Sequence, residues 1–224
     1  MLFEVRRSTL RTSNLAPRTS NLDFLMRTVV LASTSPYRLQ LLRQLGIPFH
    51  VDAPLFQESH DLGLAPELLV RHLALQKAKS LIDRHPDALI IGSDQVFVDA
   101  RGRIVGKPGS PEKAVEQLRG MSGRRHTFYT GLAVLDSASG EHLGACSTFS
   151  VTLRSLTEEQ IHYYVQKENP IDCAGSFKIE GLGIALMAAM EGEDYSSLIG
   201  LPLIRLTDLL TQFGVPILQG TLDD

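Results

Sequence analysis

Apolar residues cluster at Val29, Val30 and Leu31 and then give way to Ala32, Ser33, Thr34, Ser35 and Pro36. Three consecutive buried-type side chains predict a short strand, and Ser35 followed by Pro36 predicts a helix start: serine caps the free N–H groups and proline suits the first helical position. Leu39, Leu41, Leu42 and Leu45 give that helix an apolar face, and Gly46 ends it. A second strand is predicted near residues 49–51, followed by a polar loop. From Pro66 the apolar residues Leu69, Val70, Leu73, Ala74, Ala78 and Leu81 recur at helical spacing, ending near Arg84, His85 and Pro86.

Ala88, Leu89, Ile90 and Ile91 predict a buried strand that runs into Gly92, Ser93, Asp94 and Gln95. A hairpin is expected next, 96–98 against 103–105, around a loop of residues 99–102. A helix over 111–121 follows, then two longer strands over 127–135 and 143–153. Thr157 and Gln160 form a capping-box pattern for a helix through Tyr164. Residues 173–183 are glycine-rich and irregular, and 202–213 predict a closing helix stopped by Gly214. Alternating strands and helices with hairpins define an α/β class with a mixed sheet.

A chain of 224 residues with 43% hydrophobic residues can bury an ordinary core. Its formal net charge of -3 offers no field for a nucleic acid polymer, and no apolar run approaches the roughly 20 residues that cross a bilayer. The start lacks a secretory signal pattern. Cys146 and Cys173 stand far apart, outside any CxxC spacing, so reduced thiols in the cytoplasm are expected. The first 25 residues differ from the rest: Arg-Thr-Ser-Asn-Leu occurs at 11–15 and again at 18–22, and arginines outnumber acids. They are expected to form a disordered extension, with the folded unit spanning 26–220.

Two constellations could carry chemistry. If 99–102 form a four-residue loop, Val98 pairs with Arg103 and Asp94 falls opposite Lys107, with Cβ atoms about 5 Å apart. That pair is either a cross-strand ion pair, or a carboxylate for metal or water beside a lysine for phosphate. The turn from Ser33 to Arg38 aims helix N–H groups and a positive dipole end outward, which suits phosphate, and Arg38 can add a bidentate contact. Glu58 reads alone as a solvated loop acid, and Lys77 and Lys79 as a wet helix face. Gly106 and Lys107 lack a Walker framework, the seven histidines lack zinc spacing, and neither Ser33 nor Ser35 has a nearby base in sequence.

Taken as an ordered set, residues 32–38, 92–96, 106–108, 122–123, 174–178 and 200–202 resemble the Maf proteins, from about Val29 to Leu218. The resemblance implies a nucleotide pyrophosphatase that cuts between the α and β phosphates. It also implies two lobes around a cleft, a fold related to the inosine triphosphate pyrophosphatases, and a divalent cation (Mg or Mn). Carried over by position, Asp94 is the proton acceptor for water and a metal ligand. Arg38, Lys77 and Lys107 hold phosphates with Ser33 near them, and Glu58 is a metal-side carboxylate. Gln57 and Leu39 depart from the family pattern, where an acid and a second basic residue stand.

Tyr37, Gln95 and Glu180 resemble the branch acting on N7-methyl-GTP, whereas arginine, threonine and glutamine mark the dTTP and UTP branch. An aromatic face suits a positively charged base, and a carboxylate suits two adjacent N–H donors. Two other functions stay open: a pyrophosphatase for dTTP, UTP or a non-standard base, and a non-catalytic nucleotide-binding regulator of cell division. The expected partner is a small nucleotide, with no polymer and no membrane; a homodimer is common in such families. A chain starting at Met26 is expected to keep wild-type turnover and melting temperature, and a large loss of either would show that the first 25 residues belong to the folded unit.

Overall fold

The computed structural model describes residues 27–59 and 61–218; the expected extension at 1–25 lies outside them. One sheet of seven strands organises the fold. Its elements run β1 (Thr28–Ala32), α1 (Pro36–Arg43), β2 (His50–Asp52), α2 (Pro66–Lys79), β3 (Ala88–Val98), β4 (Ile104–Val105), α3 (Pro111–Met121) and β5 (Arg125–Asp136). They continue with β6 (His142–Leu153), α4 (Glu158–Glu168), β7 (Met187–Gly192), α5 (Tyr195–Ile199) and α6 (Leu203–Gln212). The strand order is β2-β1-β3-β5-β6-β7, with β4 paired to β3. β1 is parallel to β2 and β3, and the other pairs are antiparallel, so the sheet is mixed as expected. No helix among the described residues is long and apolar enough to cross a membrane.

Side chains alternate across a strand, so β3 serves two layers. Leu89, Ile91 and Phe97 share one face, where Leu89 and Ile91 pack with α1 and α6, and Phe97 packs with α3, α4 and the rings of Phe128 and Phe177. These two cores share one continuous sheet. On the opposite face α2 lies directly on Gly92 and Gly131. A Cβ at Gly92 would stand 2.0 Å from Ala74 O, and one at Gly131 would stand 2.1 Å from Val70 O. Those distances are impossible for real atoms, so only glycine lets the helix come so close.

Three features differ from expectation. β3 does not stop at Ile91 but runs unbroken through Gly92, Ser93, Asp94 and Gln95, because β5 pairs with it from Leu89 to Val98. The hairpin register is shifted by one: Val98 pairs with Ile104 and Phe97 with Val105. The cause is Asp99, whose Oδ1 accepts from Arg101 N and Arg103 N, while its Oδ2 accepts from the Arg103 guanidinium. This draws Arg103 into a five-residue loop. β4 then ends at Val105, so Asp94 does not face Lys107; its partner across the ladder is Gly131. Finally, β7 and α5 were not anticipated, since neither carries a clear periodic pattern.

The glycine floor is testable with a matched pair. Gly131→Ala is expected to cost about 1–3 kcal/mol or more through overpacking, seen as a melting temperature several degrees lower. Gly120→Ala in α3, where a Cβ meets nothing within 4 Å, is expected to leave stability equal or slightly higher. Equal melting temperatures for the two variants would show that α2 does not need the close approach.

Candidate active site

β1 delivers the chain into a turn held by its own serines. Ser33 N donates to Asp52 O at 3.1 Å, Ser33 Oγ accepts from Ser35 N at 3.1 Å, and Ser35 Oγ accepts from Arg38 N. The start of α1, its positive dipole end, therefore faces the cleft with Ser33, Thr34, Ser35, Tyr37 and Arg38 in the wall. Arg38 is half-buried, and its Nε donates to Gly200 O at 2.8 Å. Burial lowers its pKa from the usual arginine value, and the nearby carboxylates of Asp94 and Glu58 oppose that shift.

Lys77 departs most from the sequence-based expectation. It is 4% exposed, not on a wet face. Its Nζ donates to Asp94 Oδ1 at 2.6 Å and to Ser93 O at 3.4 Å, and lies 2.8 Å from Glu58 Oε1. Asp94 is 3% exposed. The ion pair expected between Asp94 and Lys107 is therefore replaced by one between Asp94 and Lys77, with Glu58 joining from the loop before α2. The signal was present in the helix: Val70, Leu73, Ala74, Lys77, Ala78 and Leu81 form one i, i+3, i+4, i+7 stripe, and Lys77 lies on its buried side. A lysine at such a position is buried only with a partner.

Lys107 is exposed and lines the same cleft. Its segment is anchored on both sides, since Gln117 Nε2 donates to Gly106 O and Gly109 N to Ile171 O. Tyr37, Gln95 and Glu180 also line the cleft, whose volume is about 970 Å³. Tyr37 is 40% exposed at the wall. Its phenol pKa is raised, first by burial and then by the charges of Cys173 and Glu180. Burial also pushes the Cys173 thiol up, with Lys178 and Lys107 opposing and Glu180 and Asp172 reinforcing. Ser33, Tyr37, Arg38, Glu58, Lys77, Asp94, Gln95, Lys107 and Glu180 thus meet in one cavity.

Among the described residues no group of three or more His, Cys, Asp or Glu side chains could hold a metal alone. Asp94 and Glu58 converge on the Lys77 ammonium, and both are carboxylates of the cleft that could contribute ligands to a divalent ion. Two carboxylates completed by substrate oxygens and water are what magnesium commonly uses. Sequence reasoning gave no role to Ser93 and Gly200, although both lie in the resembling segments, and missed Thr130, which lies outside them; the three act by bonding to Gln95, Arg38 or each other.

Fold and cleft together define an α/β protein whose site gathers cations and carboxylates around space for a polyphosphate. Residues 28–213 match the family model described as Maf-like protein, and the chain belongs to the Maf family. It is 66% identical over 193 residues to a protein of Syntrophotalea carbinolica named 7-methyl-GTP pyrophosphatase, covering 86% of this chain and 98% of that one. A protein of the same name from Pseudomonas aeruginosa is 53% identical over 192 residues, covering 86% and 100%. A solved HAM1 protein from Coxiella burnetii is a more distant likeness, with TM-score 0.49 and 15% identity over 84% of this chain and 100% of that one.

The burial of Lys77 predicts unequal effects along α2. Lys77→Met is expected to lower stability by about 3–5 kcal/mol, because Asp94 stays buried without its ammonium. Lys79→Met, on the exposed face, is expected to stay within about 0.5 kcal/mol of wild type. Denaturant unfolding measures both, and equal midpoints would show that the Lys77 pair is not structural.

Proposed function

We propose that this protein hydrolyses N7-methyl-GTP to N7-methyl-GMP and diphosphate in the cytoplasm, with Mg²⁺ or Mn²⁺ held by Glu58 and Asp94. The observation that carries this reading is that one cleft is lined both by the phosphate-type cations Arg38, Lys77 and Lys107 and by Tyr37, Gln95 and Glu180. The names of the close relatives support the substrate, and two free thiols fit a reducing compartment.

The residues divide the work by position. Arg38, Lys107 and the start of α1 bind the phosphate oxygens, and Ser33 orders the turn that presents them. Asp94 accepts a proton from water as the water oxygen bonds to the α phosphorus. The bond from that phosphorus to the bridging oxygen breaks, and diphosphate leaves with the electron pair. Lys77 holds Asp94 by one oxygen and so fixes the carboxylate's orientation. A bound divalent ion would add neutralising charge at the phosphates. In the same cleft the Tyr37 ring attracts the cationic base, worth about 0.5–2 kcal/mol. Glu180, an acceptor only, matches the N1–H and N2–H donors of the methylated guanine, whereas uracil presents one donor between two acceptors.

Diphosphate release from N7-methyl-GTP, GTP, ITP, UTP and dTTP at fixed metal tests this reading. The highest kcat/KM is expected for N7-methyl-GTP. Asp94→Asn is expected to lower turnover by about 10²–10⁴-fold, the usual yield of general-base catalysis. Glu180→Gln is expected to shift the ratio of N7-methyl-GTP to UTP by roughly one to two orders of magnitude. A wild-type preference for UTP, or a ratio unmoved by Glu180→Gln, would remove the base-reading role. No release from any triphosphate would leave a nucleotide-binding regulator in place of the enzyme.

A further inference from the structure

The face of β3 and β5 that points away from α2 is apolar at both ends and polar in the middle. Leu89, Ile91 and Leu132 belong to one core, Phe97 and Phe128 to the other. Between them lie Ser93, Gln95 and Thr130, and Ser93 and Thr130 are fully buried. Polar side chains in such a place are costly unless each finds a partner. All three bond to the end of α5. Gln95 Nε2 donates to Ser197 O at 2.8 Å, to Leu198 O at 3.1 Å and to Thr130 Oγ1 at 2.9 Å. Thr130 Oγ1 donates to Ser197 O at 2.8 Å, and Ser93 Oγ lies 2.9 Å from both Gly131 O and Gly200 O.

These contacts settle the orientation of the Gln95 amide. Two carbonyls can only be met by its nitrogen, so the NH₂ group is committed to the protein. Gly200 closes α5 at φ 125°, a conformation that favours glycine, and its carbonyl accepts from both Ser93 Oγ and Arg38 Nε. With Nε held at 2.8 Å, the guanidinium plane cannot turn freely, and its Nη1–Nη2 edge is the one left to grip an oxyanion.

We propose that Ser93, Gln95 and Thr130 are positioning residues for the polyphosphate: they clamp the carbonyls of Ser197, Leu198 and Gly200, and Gly200 aims Arg38 at the phosphates. The proposal rests on Arg38 being a phosphate ligand. Gln95 then bears on substrate binding through the α5 segment, whose Leu198 and Ile199 line the cleft, and not through an amide N–H given to the base.

Inorganic triphosphate, which has no base, separates these roles when its binding is titrated calorimetrically at fixed Mg²⁺. Ser93→Ala, which removes a single oxygen, and Gln95→Glu, which keeps the shape but loses the donors, are each expected to weaken it about three- to tenfold. In an Arg38→Met background Ser93→Ala is expected to add no further loss, a non-additivity that a general loss of packing does not produce. Unchanged triphosphate affinity in both single variants overturns the proposal. An equal loss from Ser93→Ala with and without Arg38 also overturns it. So does a Gln95→Glu variant that alters N7-methyl-GTP binding alone, since Gln95 would then read the base directly. A wrong substrate assignment would instead show as a different base preference with the triphosphate pattern intact.

Discussion

The site depends on how closely α2 approaches the sheet. Gly92 and Gly131 present bare backbone to the helix, and α2 settles on them without a layer of side chains between. At that distance the Lys77 stem needs little length to bring its ammonium to Asp94 on the strand beneath. A larger residue at either glycine would lift the helix and separate the two charges. The ion pair in turn needs this packing, because an isolated buried lysine or aspartate is unfavourable and the two offset each other only at short range. The site is therefore assembled where α2 lies directly on the strands, and Glu58 joins from the loop between β2 and α2.

The opposite face of the same strands solves a different problem. There the polar stripe of Ser93, Gln95 and Thr130 interrupts two apolar cores and is satisfied by carbonyls at the end of α5. β3 thus presents Asp94 to one layer and Ser93 and Gln95 to the other, and alternation along a single strand places the carboxylate and the clamp on opposite sides. Four consecutive residues, 92–95, each have a distinct structural task.

Much of this was legible in the chain. The Ser35–Pro36 cap, the capping box at Thr157 and the apolar stripe of α2 were all visible, because local preferences and packing agree there. The continuity of β3 was not, since Gly-Ser-Asp-Gln reads as a loop and becomes a strand only through partners on β5, α2 and α5. The Asp94–Lys107 pairing failed on one residue of hairpin register, which Asp99 shifts with its own carboxylate. The burial of Lys77 follows from its place in the helical repeat, which its charge taken alone contradicts; its place in the site came only with the family resemblance. Gly200 acts through its carbonyl, which no side-chain pattern reveals.

The two sides of the site differ in their separation along the chain. Lys77 and Asp94 are 17 residues apart, whereas Gly200 meets Ser93 across 107 residues and Arg38 across 162. Contacts closed over such spans form late in folding, because the loop entropy must be met before they contribute. During synthesis the helix, its glycine floor and the buried ion pair can come together while α5 is still inside the ribosome. The guanidinium acquires its fixed aim only after the chain has emerged past Gly200, so a nascent molecule can hold its carboxylate and lysine in register before Arg38 is fixed.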